Sequence, residues 1–138
     1  MKKCIVLALS CLFVSACVTP PVEEGPPPQW KEYFSSVDAV AFVDLNTQIW
    51  DVAGEGLKTS SILINYTQAD AEGTHSAIMP FVLDCKNEMV KIERFTTYDG
   101  LDAQGNVVKE KEAPEEGFLP LESFLNGEKI RDIICTVN

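Results

Sequence analysis

Histidine is almost missing from this chain: His75 is the single one among 138 residues. A His-based metal site or a Ser-His-Asp triad needs more than that one side chain offers, and His75 itself lies in a polar stretch that reads as a solvated loop. Paired cysteines at zinc spacing are absent, as is a glycine-rich loop of the kind that cradles phosphate. Basic residues are scarce too, 11 Lys and Arg against 21 Asp and Glu, for a formal net charge of −10. That balance argues against nucleic acid, heparin-like polyanions and anionic lipid headgroups as partners, all of which need basic patches. It permits basic proteins or divalent cations. No cofactor-binding pattern and no catalytic constellation is present.

What is there begins at the N-terminus, MKKCIVLALSCLFVSACVTPP. Lys2 and Lys3 form a positive n-region, and Ile5 to Val14 is a ten-residue apolar stretch, too short for a bilayer span of about 20 residues. Small residues follow, in the proportions of a secretory signal. Residues 14 to 17, VSAC, look like a bacterial lipobox, which predicts removal of residues 1–16 and lipidation of Cys17. An ordinary cleaved signal that happens to end beside a cysteine is the alternative. Lipoproteins of this type carry more than one acyl chain, and at about 0.8 kcal/mol per buried CH₂ that anchors stably. Val18 follows the cysteine where the best-known Gram-negative sorting rule places Asp to retain a protein on the inner membrane, so the outer membrane is expected. Next, residues 18–29 hold five prolines in twelve positions, which no helix or central strand tolerates. They read either as a semi-rigid spacer, about 3.1 Å per residue, or as a disordered tail without a spacing role. Residues 17–29 are thus a tether, and residues 30–138 have the length of one domain.

Cys4 and Cys11 leave with the signal and Cys17 is consumed by lipid, so Cys85 and Cys135 remain. Loss of Lys2 and Lys3 leaves 9 basic against 21 acidic residues, a net charge of −12. An exported chain with two cysteines has one intramolecular pairing available, in a compartment that favours oxidation. Two free buried thiols are the alternative. Cys85 as a nucleophile lacks a neighbouring base, since only Lys86 nearby is basic.

Within the domain, apolar and β-branched runs recur between turn-like breaks. Residues 39–45 predict a buried strand, and residues 47–53 a short strand or return turn broken at 53–56. Residues 60–68 predict an alternating strand with Ile62, Ile64 and Tyr66 on one face and Ser61, Leu63 and Asn65 on the other. Residues 77–85 are apolar on both faces, with Pro80 implying an edge position or a bulge. Residues 89–99 predict one strand with Val90, Ile92, Thr96 and Tyr98 on a common face, joined to its predecessor in an antiparallel hairpin through Lys86 to Glu88. Residues 99–106, DGLDAQGN, read as a hairpin turn; Asp99 and Asp102 beside a glycine are faintly like a calcium loop but lack its ligand spacing. Residues 106–112 add a short strand, followed by a charged loop that reads as solvated. Leu121, Phe124, Leu125, Ile130, Ile133 and Ile134 recur at helical spacing, predicting a helix that ends near Cys135 and is interrupted at Asn126-Gly127. Trp30, Tyr33 and Phe34 read as a cap on the core where the chain joins its domain, with an exposed partner patch as the alternative. The fold expected is α+β: an antiparallel sheet with a C-terminal helix on one face, stapled by one disulfide.

Taken in order, Trp30, AFVDLNTQI (41–49), SSILINYTQ (60–68), FVLDC followed by MVKIERFTTYDG, a later Gly-Asn-Val-Val and a closing IIC at Cys135 resemble the surface-adhesin protein E family of small bacterial envelope lipoproteins. The resemblance implies a β-sheet domain with a C-terminal helix and one disulfide, displayed on the cell envelope and binding proteins rather than turning over a substrate. Lys86, Lys91 and Arg94 are the cations near the hairpin, amid a strongly acidic whole. The expected function is a non-enzymatic envelope lipoprotein, held by the lipid on Cys17 and acting as a binding, adhesion or accessory module with a protein partner. The alternative is a periplasmic inhibitor or immunity-type lipoprotein that meets a basic protein through its acidic surface.

Overall fold

The computed structural model describes residues 25–46, 48–49, 56–113, 115 and 117–136. Residues 1–24, which hold the expected signal segment, Cys17 and most of the expected tether, and residues 50–55 lie outside them. Nine strands form one antiparallel sheet among the described residues: β1 (Trp30–Ser35), β2 (Ala39–Asp44), β3 (Gln48–Ile49), β4 (Leu57–Tyr66), β5 (Ser76–Asp84), β6 (Met89–Ile92), β7 (Arg94–Tyr98), β8 (Val107–Glu112) and β9 (Leu119–Pro120). A 3₁₀ turn at Leu121–Ser123 leads to the helix α1 (Gly127–Cys135). The strands run β1-β2-β4-β5-β6-β9, with β3 beside β4, β7 beside β5, and β8 outside β7.

β4 and β5 are the central pair, joined over nine residue pairs from Leu57↔Asp84 to Asn65↔Ser76. Cross-strand partners share a face, so Ile62 lies level with Val43 and Met79, and Phe81 with Ile92. That face, with Leu83 and Val90, packs against Ile130, Ile133 and Ile134 of α1 and Leu121 of the 3₁₀ turn. Of the tail residues read at helical spacing, Leu121, Ile130, Ile133 and Ile134 are buried here and Phe124 packs against them, whereas Leu125 is exposed and the helix begins only at Gly127. On the opposite face, Leu63 is 1% exposed between its cross-strand partners Phe42 and Ile78. The central strand is therefore buried on both sides, more fully than its alternation suggests.

Two sequence expectations are corrected and a third is narrowed. Residues 30–35 are not merely a cluster capping the core but an edge strand, paired with β2 from Trp30↔Asp44 to Ser35↔Val40. Tyr33 is 1% exposed, Phe34 packs on the core and Trp30 is half-buried, so the core-cap reading holds for Tyr33 and Phe34. Residues 89–99 are two strands, because the pairing shifts from Phe81↔Ile92 to Ile78↔Thr96 and leaves one extra residue on the β6–β7 side. This is a β-bulge centred on Glu93, and it exchanges the faces beyond it. Thr97 pairs with Ala77 and joins the face of Ile92, while Thr96 pairs with Ile78 on the other. Third, of the two places expected for Pro80, an edge or a bulge, it occupies the bulge. Its carbonyl accepts the Glu93 N–H at 2.9 Å, so its nitrogen faces the bulge, and the Glu93 carbonyl turns away to accept the Ala113 N–H at 3.2 Å. The missing donor falls at the place where the ladder does not need one.

The outer strand β8 is marked by Lys109, Glu110, Lys111 and Glu112, a charge pattern that discourages pairing with a further strand.

Candidate functional site

One end of the sheet carries the hairpin turn between β5 and β6. Asp84 closes it: its Oδ1 accepts the N–H groups of Lys86 and Asn87 at 3.0 and 2.9 Å, and its Oδ2 accepts Asn87 Nδ2 at 2.8 Å. Burial alone pushes the Asp84 carboxyl up, but the Asn87 and Lys86 hydrogen bonds outweigh it and the net shift is down. Cys85 follows on the turn and is bonded to Cys135 at the end of α1, S–S 2.04 Å. Lys58 Nζ donates to the Ile134 carbonyl at 2.9 Å, placing a cation at the negative end of the helix. Arg131 pairs with Glu88 at 2.5 Å, and these two hydrogen bonds and the disulfide hold the helix to the sheet.

Between turn and helix is an open groove of about 260 Å³ lined by Glu88, Met89, Leu121, Glu122, Glu128 and Arg131. Its charged groups are carboxylates and one guanidinium already engaged with Glu88 and Asp132. The Arg131 guanidinium is held further protonated, first by Glu88 and then by Asp132. No nucleophile beside a base is assembled there, so the groove offers charge and shape rather than covalent chemistry.

The opposite end carries three loops, 36–38, 67–75 and 99–106, tied to one another. Thr67 donates through N–H to the Asp38 carbonyl and through Oγ1 to the Val37 carbonyl, at 2.8 and 3.0 Å. Asn65 Nδ2 donates to Asp102 Oδ1 at 2.7 Å, and the Asp102 N–H donates back to Asn65 Oδ1 at 2.9 Å. Ser76 Oγ reaches the Gly100 carbonyl at 2.5 Å and accepts the Ala103 N–H at 3.0 Å. Asp99 accepts from Asn106 through both oxygens, at 2.7 and 2.9 Å, which closes the β7–β8 hairpin and holds its carboxyl low. The acidic pair in DGLDAQGN therefore serves the turn. His75 adds a minor electrostatic pull on Asp99, and its backbone joins the sheet through the Tyr98 carbonyl and the Tyr66 N–H.

Lys86, Lys91 and Arg94 are exposed and do not converge: Arg94 meets Glu110 at 3.5 Å, and Lys91 lines a groove with Glu93, Glu112 and Glu115. Among the described residues no group of three or more His, Cys, Asp or Glu could hold a metal ion, and no helix is long and apolar enough to cross a membrane. Cys17 lies outside the described residues. Sequence reasoning missed the roles of Asp44 and Asn46, which bind the end of the tether; an Asp-x-Asn closing a strand is a turn signal that could have drawn attention to them.

A family model described as surface-adhesin protein E matches residues 30–136. Among solved structures, the selenomethionine form of Haemophilus influenzae protein E is similar at a TM-score of 0.55 and 18% identity, covering 83% of this chain and 94% of that one. Crystal form II of the same protein gives 0.52 and 18%, covering 83% and 95%. Protein E from non-typeable Haemophilus influenzae gives 0.55 and 17%, covering 83% and 82%. Curated protein sequences give no match. The structural likeness is one of fold, and the family match spans the whole sheet and helix. This chain belongs to the surface-adhesin protein E family.

Proposed function

We propose that this chain is a non-enzymatic lipoprotein of the bacterial envelope, anchored in the outer membrane through lipid on Cys17, whose folded part is an adhesin-like module for binding a protein. The observation that carries the reading is the family match over residues 30–136, beginning thirteen residues after the lipobox cysteine. The groove beside α1 supports it, being charged and open and without a reactive pair. The acidic balance directs the partner away from nucleic acid and anionic lipid. The inhibitor reading draws on that same acidity, and no similar protein favours it.

The test is made on intact cells that carry the full chain. Protease added outside is expected to cleave the folded part, and the N-terminal peptide of the membrane-bound protein is expected to carry acyl mass on Cys17. Complete protection until the outer membrane is opened would remove the adhesin reading and leave a periplasmic role. An unmodified Cys17 would remove the anchor.

A further inference from the structure

We infer that the last residues of the tether, Pro27 to Gln29, are a strap that fixes the direction in which the folded part is held, so that the loops 36–38, 67–75 and 99–106 form its membrane-distal surface. The strap is built from the end of β2. Asp44 Oδ1 accepts the Gln29 N–H at 2.8 Å and the Asn46 N–H at 2.9 Å, so one carboxylate oxygen clamps the tether and the turn after β2 together. The Leu45 N–H donates to the Gln29 carbonyl at 2.9 Å, and Asn46 Nδ2 donates to the Pro27 carbonyl at 2.5 Å. Ser60 Oγ donates to the Asp44 carbonyl at 2.6 Å, tying this corner to the central strand β4. Pro27 and Gln29 are therefore both held before β1 begins.

The direction follows from the topology. The strap lies where β1 starts and β2 ends, level with Ser60 and Ser61 of β4 and with Phe81 and Pro80 of β5. The three loops lie at the other ends of those strands. With six residues in each of β1 and β2 at about 3.3 Å each, strap and loops are roughly 20 Å apart. Pro26, Pro27 and Pro28 stiffen the chain as it leaves, so the fixed direction is not lost at the next bond. A flexible hinge at the boundary would let either end face outward; a strap selects one. The far end is also prepared for contact. Its loops are cross-tied, which reduces the ordering cost of binding. Val37, Leu101 and Val107 stand exposed there at 86%, 52% and 54%.

The strap stands on its own geometry; its outward sense rests on the reading of Cys17 as the anchor. Both are tested on the full chain purified from membranes, with spin labels on Gly25→Cys and Gln104→Cys. A side chain at residue 25 meets nothing within 4 Å, and residue 104 is exposed. A narrow distance distribution at or beyond about 20 Å is expected, broadened by Asn46→Ala, which lies outside the strands. A broad distribution in the parent, or none of this broadening in the variant, overturns the strap. Labelling at Cys17 would show a free thiol and sink the anchor alone; the distance is then read in a Cys17→Ser background. In vesicles containing an acceptor lipid, energy transfer from a dye on Glu122→Cys is expected to exceed that from Gln104→Cys at least twofold. Equal transfer overturns the outward placement.

Discussion

Gly127 is held by contact rather than by backbone freedom. A Cβ there would lie 2.0 Å from the Leu121 carbonyl oxygen, backbone that cannot rotate away. Asn126 before it takes the left-handed conformation, φ 50°, which Asn tolerates better than most residues. Gly127→Ala is expected to destabilise by about 1–3 kcal/mol, read as a lower urea midpoint with an unchanged slope. The carboxylates predict a pH response. Asp70 is held low first by the Thr74 N–H, Asp99 first by the Asn106 side chain, and Asp84 by the Asn87 and Lys86 bonds that overcome its burial. With the folded value below the unfolded one, the unfolded chain binds more protons between the two, so the contribution is present above about pH 4 and lost as pH falls through the folded values. Acid titration of the urea midpoint should show this loss, and Asp99→Asn should lessen it. At the alkaline end, burial pushes the Tyr33 phenol up to about 12, so stability should be full below pH 10 and fall as pH rises toward that value. Tyr33→Phe should remove that fall.

At the scale of elements, α1 has nine residues, too few to persist alone in water. Ile130, Ile133 and Ile134 seat it on the sheet and the disulfide closes a separation of 50 residues. The chain-entropy account gives that bridge about 4 kcal/mol, an upper figure when the reduced chain keeps structure. The Cys85→Ser, Cys135→Ser double variant is therefore expected to lose up to about 4 kcal/mol in denaturant melts, with α1 amides exchanging faster than those of β4. The bulge at Glu93 has a sharper consequence. Deleting Glu93 would make β6 and β7 continuous while leaving Thr96 opposite Ile78, so the faces are kept and only the bulge, with its bonds to the Pro80 carbonyl and the Ala113 N–H, is lost. A cooperative melt by circular dichroism with a lowered midpoint is the expected outcome; loss of cooperative unfolding would show that the register beyond the bulge depends on the extra residue.

For the whole molecule, 21 acidic residues against 11 basic ones act on stability and association together. Among the described residues, the pairs of Lys109 with Glu72 and Arg94 with Glu110 are at least two-fifths exposed and weak. Self-repulsion should ease as salt rises, so the urea midpoint is expected to increase between 0.02 and about 0.2 M sodium chloride, where the Debye length falls below about 10 Å. A midpoint that falls with salt would mean that attractive pairs outweigh the acidic excess. Most strands and the broken helix were legible because turn residues and apolar spacing are local signals. β1 was not, since WKEYFS carries charge at an edge and its pairing with β2 is a non-local fact. The anchoring of the tether on Asp44 and Asn46 escaped for the same reason.

The sequence by itself determined the pairing open to Cys85 and Cys135, the α+β class and the scarcity of histidine and of basic residues. Each follows from composition or short-range order. Only the tertiary structure decided that Pro80 sits inside the sheet, that the face of β7 is exchanged by one extra residue, and that the tether is strapped at one end of the strands. Those depend on which backbone groups meet across the ladder, and a ladder joins residues that are distant in sequence, so no local pattern contains them.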